Sequence, residues 1–275
     1  MRGQSVARVL ASKSSLAQEG DFISANTGWT RYAIVSEGNF EPASSFPAIS
    51  QPQEYLSALG FTSLTAWIGM TKIGKPKPGD LVVVSGAAGA TGSIAGQIAK
   101  IKGAKVIGIA GSDEKCRWLT DELGFDLALN YKAKDFEERF DKATDKLIDL
   151  YYDNVGGEIL DMCLRRAKPH ARFVECGTIS QYNTNKPRGP EAFFQVVAMR
   201  IKMEGFIVID HVEDFPKARA ELAQWMAEGK LKKAETIIQG GLEVAEQALA
   251  KLYTGMNTGK LLVEVKSPSE PPKKL

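Results

Sequence analysis

Cysteine is scarce in this chain: its 275 residues hold three, Cys116, Cys163 and Cys176. They form no CxxC pair and are too few for a disulfide framework, which points to a reducing, cytoplasmic setting. Histidine is scarcer, with only His170 and His211. Long apolar runs are absent; none approaches the ~18 residues that span a bilayer, so no membrane partner is expected. Neither sign of charge dominates, since 35 Lys and Arg face 33 Asp and Glu for a formal +2. Such a balance gives no reason to expect nucleic acid or an anionic surface as partner. What is present is ordinary globular material, 44% hydrophobic and 25% charged. That excludes wholesale disorder, collagen and coiled coil, and supplies enough apolar residues for one large domain or two smaller ones.

The N-terminus allows two readings. Met1 to Ala17 carries Arg2, Arg8, Lys13 and several serines, with no acid before Glu19, a composition shared with transit peptides. The alternative is a strand over Val6 to Leu10, followed by a loop and a turn at Glu19-Gly20-Asp21.

Beyond a turn-rich stretch from Lys72 to Gly79, which ends a helix containing Trp67, short apolar runs alternate with helix-like stretches. The runs are Leu81 to Val84, Val106 to Ala110, Leu127 to Leu129, Ile148 to Tyr152, Phe173 to Cys176 and Phe206 to Ile209. Continuous apolar runs separated by helices predict strands buried on both faces, hence a parallel sheet. Six of them with five crossovers is the count of a complete doubly wound, Rossmann-type α/β fold. Ile94, Ile98 and Ile101 make one apolar stripe on the first crossover helix. Leu222, Trp225 and Met226 mark a helix stopping at Gly229. A last helix is expected over Leu242 to Tyr253, and a last strand over Leu261 to Val265. The proline-rich tail from Ser267 is expected to be disordered.

The run Leu81 to Val84 leads directly into Ser85-Gly-Ala-Ala-Gly-Ala-Thr-Gly-Ser93. Gly86, Gly89 and Gly92 have a GxxGxxG spacing. A tight strand-to-helix turn needs glycine, and so does close approach of a pyrophosphate to the backbone. The free N–H groups of the following helix then face the anion, reinforced by the helix dipole. The alternative is a glycine-rich packing turn without a ligand. The strand before it and the helix after it are the context that the dinucleotide motif requires.

The second run ends at Ala110-Gly111-Ser112. The acids that follow, Asp113 and Glu114, read as first-turn residues of a helix capped by Ser112, not as the ribose-binding acid of an NAD site. Lys115 is unexpected, because a cation in a first turn opposes the dipole. A bound 2′-phosphate would reverse that sign, so NADP(H) is the expected cofactor; the alternative for Lys115 is a solvated surface lysine.

Several segments together resemble the zinc-independent medium-chain dehydrogenase/reductases, and more narrowly their leukotriene B4 12-hydroxydehydrogenase, or prostaglandin reductase, group of alkenal/enone reductases. They are Gly28-Trp-Thr-Arg-Tyr32, Leu59-Gly-Phe-Thr-Ser-Leu-Thr-Ala-Trp67, the loop from Gly86, Gly111-Ser-Asp-Glu-Lys115, Asn130-Tyr-Lys132, Asp153-Asn-Val-Gly-Gly157, Cys176-Gly-Thr-Ile-Ser-Gln-Tyr182, Glu204-Gly-Phe206 and Asn257-Thr-Gly-Lys260. The resemblance implies that Gly86, Gly89, Ala90, Thr91 and Gly92 hold the pyrophosphate, while Lys115 and Tyr131 face the adenosine 2′-phosphate. Asn154 would lie beside the cofactor. Cys176, Gly177, Thr178, Ile179, Ser180 and Tyr182, with Phe206, Ile207 and Val208, would flank the nicotinamide side, and Asn257 would close over the cofactor. Packing remains an alternative for Tyr131, and a simple turn role for Asn154.

The resemblance also implies a division of the chain. Residues 1–61 would be the remnant of a GroES-like, β-rich substrate domain, 62–210 the dinucleotide-binding domain, 211–266 a segment returning to the substrate domain, and 267–275 the tail. The opening strands of the family's substrate domain are missing, as in a truncated isoform or an incomplete gene model. A tyrosine that animal and plant members carry before Glu-Gly-Phe is also missing, where this chain reads Val197-Ala-Met-Arg200. Tyr182 is then the remaining phenol for substrate, or a loop tyrosine capping the core. Phe61 stands where zinc-dependent relatives have cysteine, and only His170 and His211 are available, with no clustered cysteine or carboxylate partners expected, so no metal is expected. Cys163 and Cys176 read as small core residues. The implied activity is NADPH-dependent reduction of the C=C bond of an enal or enone by hydride transfer to the β-carbon. Quinone reduction, or cofactor binding without turnover, are the alternatives. A homodimer joined through cofactor-domain sheet edges is implied as well.

Overall fold

The computed structural model describes residues 3–265. Three short antiparallel strands come first, β1 (Ser5–Arg8), β2 (Phe22–Ala25) and β3 (Phe40–Pro42), in that spatial order. Helix α1 (Phe61–Ile68) follows and widens into a π turn over Gly69–Gly74. Then come β4 (Leu81–Val84), α2 (Ala90–Ile101), β5 (Lys105–Ala110), α3 (Asp113–Asp121), β6 (Leu127–Asn130) and α4 (Phe136–Ala143). The alternation continues with β7 (Ile148–Asp153), α5 (Gly157–Arg165), β8 (Ala167–Glu175), α6 (Phe194–Ala198) and β9 (Lys202–Gly205). The chain closes with α7 (Phe215–Ala227), β10 (Glu235–Ile238), α8 (Ala245–Tyr253) and β11 (Lys260–Val263).

Strands β4 to β9 form one parallel sheet in the order β6-β5-β4-β7-β8-β9. The chain winds outward from β4 in one direction and then, from β7, in the other. The crevice at the carboxyl ends of β4 and β7 is therefore the place where such a sheet binds ligands. Alternation along each strand divides the core in two. Val82, Val84 and Tyr152 face Leu64, Ile68, Ile98 and Leu222 of the layer formed by α1, α2 and α7. Val83, Ile107 and Tyr151 face Phe136, Phe140, Leu160 and Leu164 of the α4/α5 layer. Both faces are covered, which is why the strands read as unbroken apolar runs. The stripe on α2 sits as its spacing requires, with Ile94 and Ile98 buried and Ile101 half-buried.

One buried side chain ties the N-terminal strands to this framework. Arg219 on α7 donates twice from Nη2 to the Glu41 carboxylate (2.9 and 3.0 Å), from Nη1 to Ser45 O and from Nε to Leu59 O. Its guanidinium also lies 3.9 Å from the Phe46 ring centroid. A planar fork with four of its donors in use is a geometry that makes a buried arginine tolerable.

Several expectations need correction. The last strand of the large sheet is Lys202–Gly205, not Phe206 to Ile209. An edge strand is open to water and need not be apolar, so Lys-Met-Glu-Gly pairs with β8 through Arg172↔Lys202 to Glu175↔Gly205. The apolar run after it turns away, leaving Ile207 and Ile209 exposed. β8 starts earlier than expected, at Ala167, across a register shift and a left-handed His170 (φ 65°). The first strand occupies Ser5–Arg8, displaced from Val6 to Leu10, and α8 begins at Ala245, not Leu242. β10, unforeseen in the sequence, pairs in parallel with β11. The tail from Ser267 lies outside the described residues.

Candidate active site along the carboxyl edge

The site is assembled from the residues that follow each strand. After β4, Ser85 is buried and Gly86 takes a left-handed conformation (φ 57°). The turn is tight enough that a Cβ on Gly92 would lie 2.4 Å from Gly86 O. Gly89 caps α2 from an extended conformation, and Ala90, Thr91 and Gly92 begin the helix. Their first-turn N–H groups have no acceptor within the helix. A polar anion is the natural partner for such a turn.

After β7, Asn154 binds the phosphate loop. Its N–H donates to Ser85 Oγ (2.8 Å) and its Nδ2 to Ser85 O (2.7 Å). It is thus a brace across the crevice, more than a plain turn residue. The stretch after β8 is sewn onto the same turn, since Cys176 and Gly177 N–H groups both donate to Asp153 O, Ile179 N–H to Asn154 O and Ser180 N–H to Val155 O. Tyr182 is 59% exposed, and its hydroxyl accepts from the Thr178 N–H at 3.4 Å. Phe206 packs half-buried against the core, while Ile207 is exposed and Val208 opens a short 3₁₀ turn. A cleft of about 400 Å³ lies between the ends of β8 and β9, walled by Cys176, Tyr182, Phe206 and Ile207.

The other end of the edge carries the polar groups. Ser112 caps α3 by accepting from the Lys115 N–H at 3.3 Å. Asp113 is taken up by Asn130 Nδ2 at 2.9 Å, so it is not free for a ribose. Lys115 Nζ donates to Gly255 O at 2.6 Å. Burial, and then the charge of Lys132, pull the Lys115 ammonium below the usual lysine range, with Glu114 acting in the opposite direction. Two ammonium groups repelling each other beside a half-exposed Tyr131 ring is an arrangement that a phosphate would relieve. Asn257 is buried and donates from Nδ2 to Gly259 O, and the Gly259 N–H reaches Ala88 O at 2.8 Å. The C-terminal segment is therefore fastened to the phosphate loop.

Read along the sheet, the expected residues follow the strand order: Tyr131 after β6, Lys115 after β5, Gly86 to Gly92 after β4, Asn154 after β7, Cys176 to Tyr182 after β8 and Phe206 to Val208 after β9. The residues fit a dinucleotide, with a crowded glycine turn for the pyrophosphate at the centre and paired cations at one end. Lys132, Ser85, Asp153 and Glu175 were not among the expected site residues, although the first three stand in the quoted segments. The last two were legible only as acids closing apolar strands.

The view that neither histidine has carboxylate neighbours is corrected. His211 Nδ1 lies 3.7 Å from Asp214 Oδ2, and with Glu213 the ligand atoms fall within 4.8 Å of one another. Lys72 Nζ already pairs with Asp214 Oδ1 at 2.7 Å, so an ammonium occupies that carboxylate. Phe61 packs edge-on against Phe215, with ring centroids 5.8 Å apart. All three thiols are free; burial raises Cys163 well above the usual range, and it raises Cys176 as well.

A family model described as zinc-binding dehydrogenase matches residues 90–224. The NADPH-dependent curcumin reductase of Escherichia coli is 39% identical over 271 residues, covering 96% of this chain and 78% of the relative. The 2-alkenal reductase (NADP(+)-dependent) of Nicotiana tabacum is 37% identical over 268 residues, covering 96% and 76%. The crystal structure of CurA from Vibrio vulnificus in complex with NADPH superposes with a TM-score of 0.90 at 40% identity, over 98% of this chain and 80% of that one. With the phosphate loop, the six-strand order and these relatives in agreement, the chain belongs to the zinc-independent branch of the medium-chain dehydrogenase/reductase family.

Proposed function

We propose that the chain is an NADPH-dependent reductase of the C=C bond in α,β-unsaturated aldehydes and ketones. The observation that carries this reading is the run of candidate binding groups across all six strand ends, with cations at one end and a cleft of mixed lining at the other. Gly86, Gly89, Ala90, Thr91 and Gly92 hold the pyrophosphate, Lys115 and Tyr131 the 2′-phosphate, and Asn154 and Asn257 the middle of the molecule. Cys176 to Ser180, Tyr182 and Phe206 to Val208 line the nicotinamide side. Bound there, NADPH supplies a hydride to the β-carbon of the substrate.

The chain's own residues do the rest. Phe206 and Ile207 offer apolar surface to the carbon skeleton of the substrate. Tyr182 accepts from the Thr178 N–H, which leaves its own hydrogen free to donate to the carbonyl oxygen, where negative charge develops. Residues 1–61 supply the substrate-domain side and 62–210 the cofactor side, to which α7 and Asn257 of the C-terminal segment are joined. We place the enzyme in the cytoplasm, in keeping with its three free thiols. We also assign β9 as a dimer edge, because Phe193, Phe194, Val197, Ile207 and Ile209 on that flank are exposed.

The test is loss of the nicotinamide absorbance when purified protein meets NADPH and a simple enal or enone, with a quinone in parallel. Consumption with the enone supports the reading, consumption with the quinone alone replaces it, and binding without consumption removes it. Light scattering at a monomer's mass rejects the dimer.

A further inference from the structure

The nicotinamide side of the edge holds a carboxyl pair. β7 and β8 run in register, with Asp153 opposite Glu175. Both side chains leave the sheet on the face of Tyr151 and Phe173, two residues earlier on each strand. Asp153 is fully buried, and four donors converge on its Oδ1: Ser85 Oγ, Tyr151 OH and the Val155 N–H at 2.8 Å, and the Gly156 N–H at 2.9 Å. Asp153 Oδ2 has no partner, and neither has Glu175 Oε1, although both are shut off from solvent. Glu175 also lines the cleft beside Tyr182 and Phe206.

Two carboxyls side by side, one fully buried and one half-buried, disfavour both being ionised without a counter-ion. Among the described residues no basic side chain pairs with Glu175. The titratable and charged groups around it are Asp153 on β7, Cys163 on α5, Cys176 beside it, and Tyr182 and Asp210 at the cleft. On β9, Gly205 stands opposite it and Lys202 is bridged to Glu204. Four donors meet Asp153 Oδ1 and none meets Glu175 Oε1, so Glu175 is the better placed of the two to keep a proton. Burial, and then the charge of Asp153, push Glu175 up to about 8.

We propose that Glu175 is the proton donor of the reduction, its carboxylic acid protonating the α-carbon of the enolate in the cleft beside Tyr182 and Phe206. The proposal rests on the enone-reductase reading. After hydride reaches the β-carbon, the former π pair lies over the α-carbon and the oxygen. The O–H bond of Glu175 breaks, a C–H bond forms at the α-carbon, and the carbonyl re-forms. The O–H electron pair stays on Glu175 as carboxylate, and water from the open cleft returns the proton once product leaves. An acid that holds its proton up to near-neutral pH is the kind general acid catalysis favours.

Glu175→Gln keeps the shape and neutrality of the protonated side chain but has no acidic hydrogen. In heavy water the wild type should place deuterium on one face of the α-carbon, and the variant on both. The variant's kcat should fall by about 10²–10⁴-fold, with KM and NADPH affinity nearly unchanged. Wild-type kcat should decline above about pH 8, and this decline should be missing in the variant. Infrared difference spectra of cofactor-free protein should show a carboxylic acid band titrating near pH 8 that Glu175→Gln removes. Glu175→Leu, apolar like the rest of the sheet interior, is the second comparison and should show the same loss. One-sided deuteration at wild-type rate in Glu175→Gln, or persistence of the band, overturns the proposal. A wild type that turns over no enone overturns the reductase reading instead, and the infrared result stands independently of it.

Discussion

The two ends of the carboxyl edge solve opposite electrostatic problems. At β5 and β6 two cations, Lys115 and Lys132, crowd one another in partial exposure. At β7 and β8 two acids, the fully buried Asp153 and the half-buried Glu175, crowd one another. Repulsion between cations is relieved by bringing in an anion from solution, whereas repulsion between buried acids is relieved by keeping a proton. The first end is thereby suited to recognising a phosphate and the second to holding an acid. The same physical effect, like charges held close by the fold, serves binding at one end and chemistry at the other.

The largest effect should come from the glycine turn that joins the two ends. Gly92→Val places branched carbon against Gly86 O, where even a Cβ would sit at 2.4 Å. Such overpacking costs about 1–3 kcal/mol of stability and displaces the first-turn N–H groups. NADPH and NADH binding should both disappear in a fluorescence titration, while the α/β circular dichroism signature persists.

Lys115→Ala should then separate the ends. Loss of one hydrogen bond to a charged group is worth about 1.5–3 kcal/mol, so NADPH affinity should drop roughly 10–150-fold with NADH little affected. Equal losses for the two cofactors would falsify the assignment of Lys115 to the 2′-phosphate. An ammonium has three donors, so the bond to Gly255 O does not prevent the contact.

The acid end should reveal itself in stability. The folded-state value of Glu175 is raised from 4.5 to about 8, so the folded chain binds more protons than the unfolded chain between those limits. Stability from this group is therefore fully present below about pH 4.5 and is lost as pH rises through about 8. Urea midpoints should fall over that window, and Glu175→Gln should flatten the decline. A midpoint that climbs with pH over the same range contradicts a proton held at this position.

These contrasts also explain which parts of the molecule the amino-acid order disclosed. The strands buried on both faces, such as Leu81–Val84, were legible because burial on both sides demands unbroken apolar residues. The phosphate loop was legible because few residues but glycine tolerate its turn. The edge strand Lys202–Gly205 was misplaced because one side meets water, and its neighbour Phe206 to Ile209 is more apolar but unpaired. Tyr131 and Lys115 could be named from the resemblance, but the pairing of Lys115 with Lys132 depends on β5 and β6 lying side by side. The Asp153–Glu175 pair was hidden for the same reason. Only the parallel register of β7 and β8, separated by a whole crossover, makes the two acids neighbours.

The smallest expected effect concerns Tyr182, the phenol that the resemblance singles out. Its ring is more than half exposed and its hydroxyl is oriented by a single long contact, 3.4 Å from the Thr178 N–H. A neutral hydrogen bond in such a setting is worth about 0.5–1.5 kcal/mol, so Tyr182→Phe should lower kcat/KM by about tenfold or less. The deuteration face should not change, because the phenol meets the carbonyl oxygen and Glu175 the α-carbon. If Tyr182→Phe scrambles the deuterium instead, the roles of the two groups are reversed. The acid pair would then be a structural neighbour of the cleft, and the phenol its proton source.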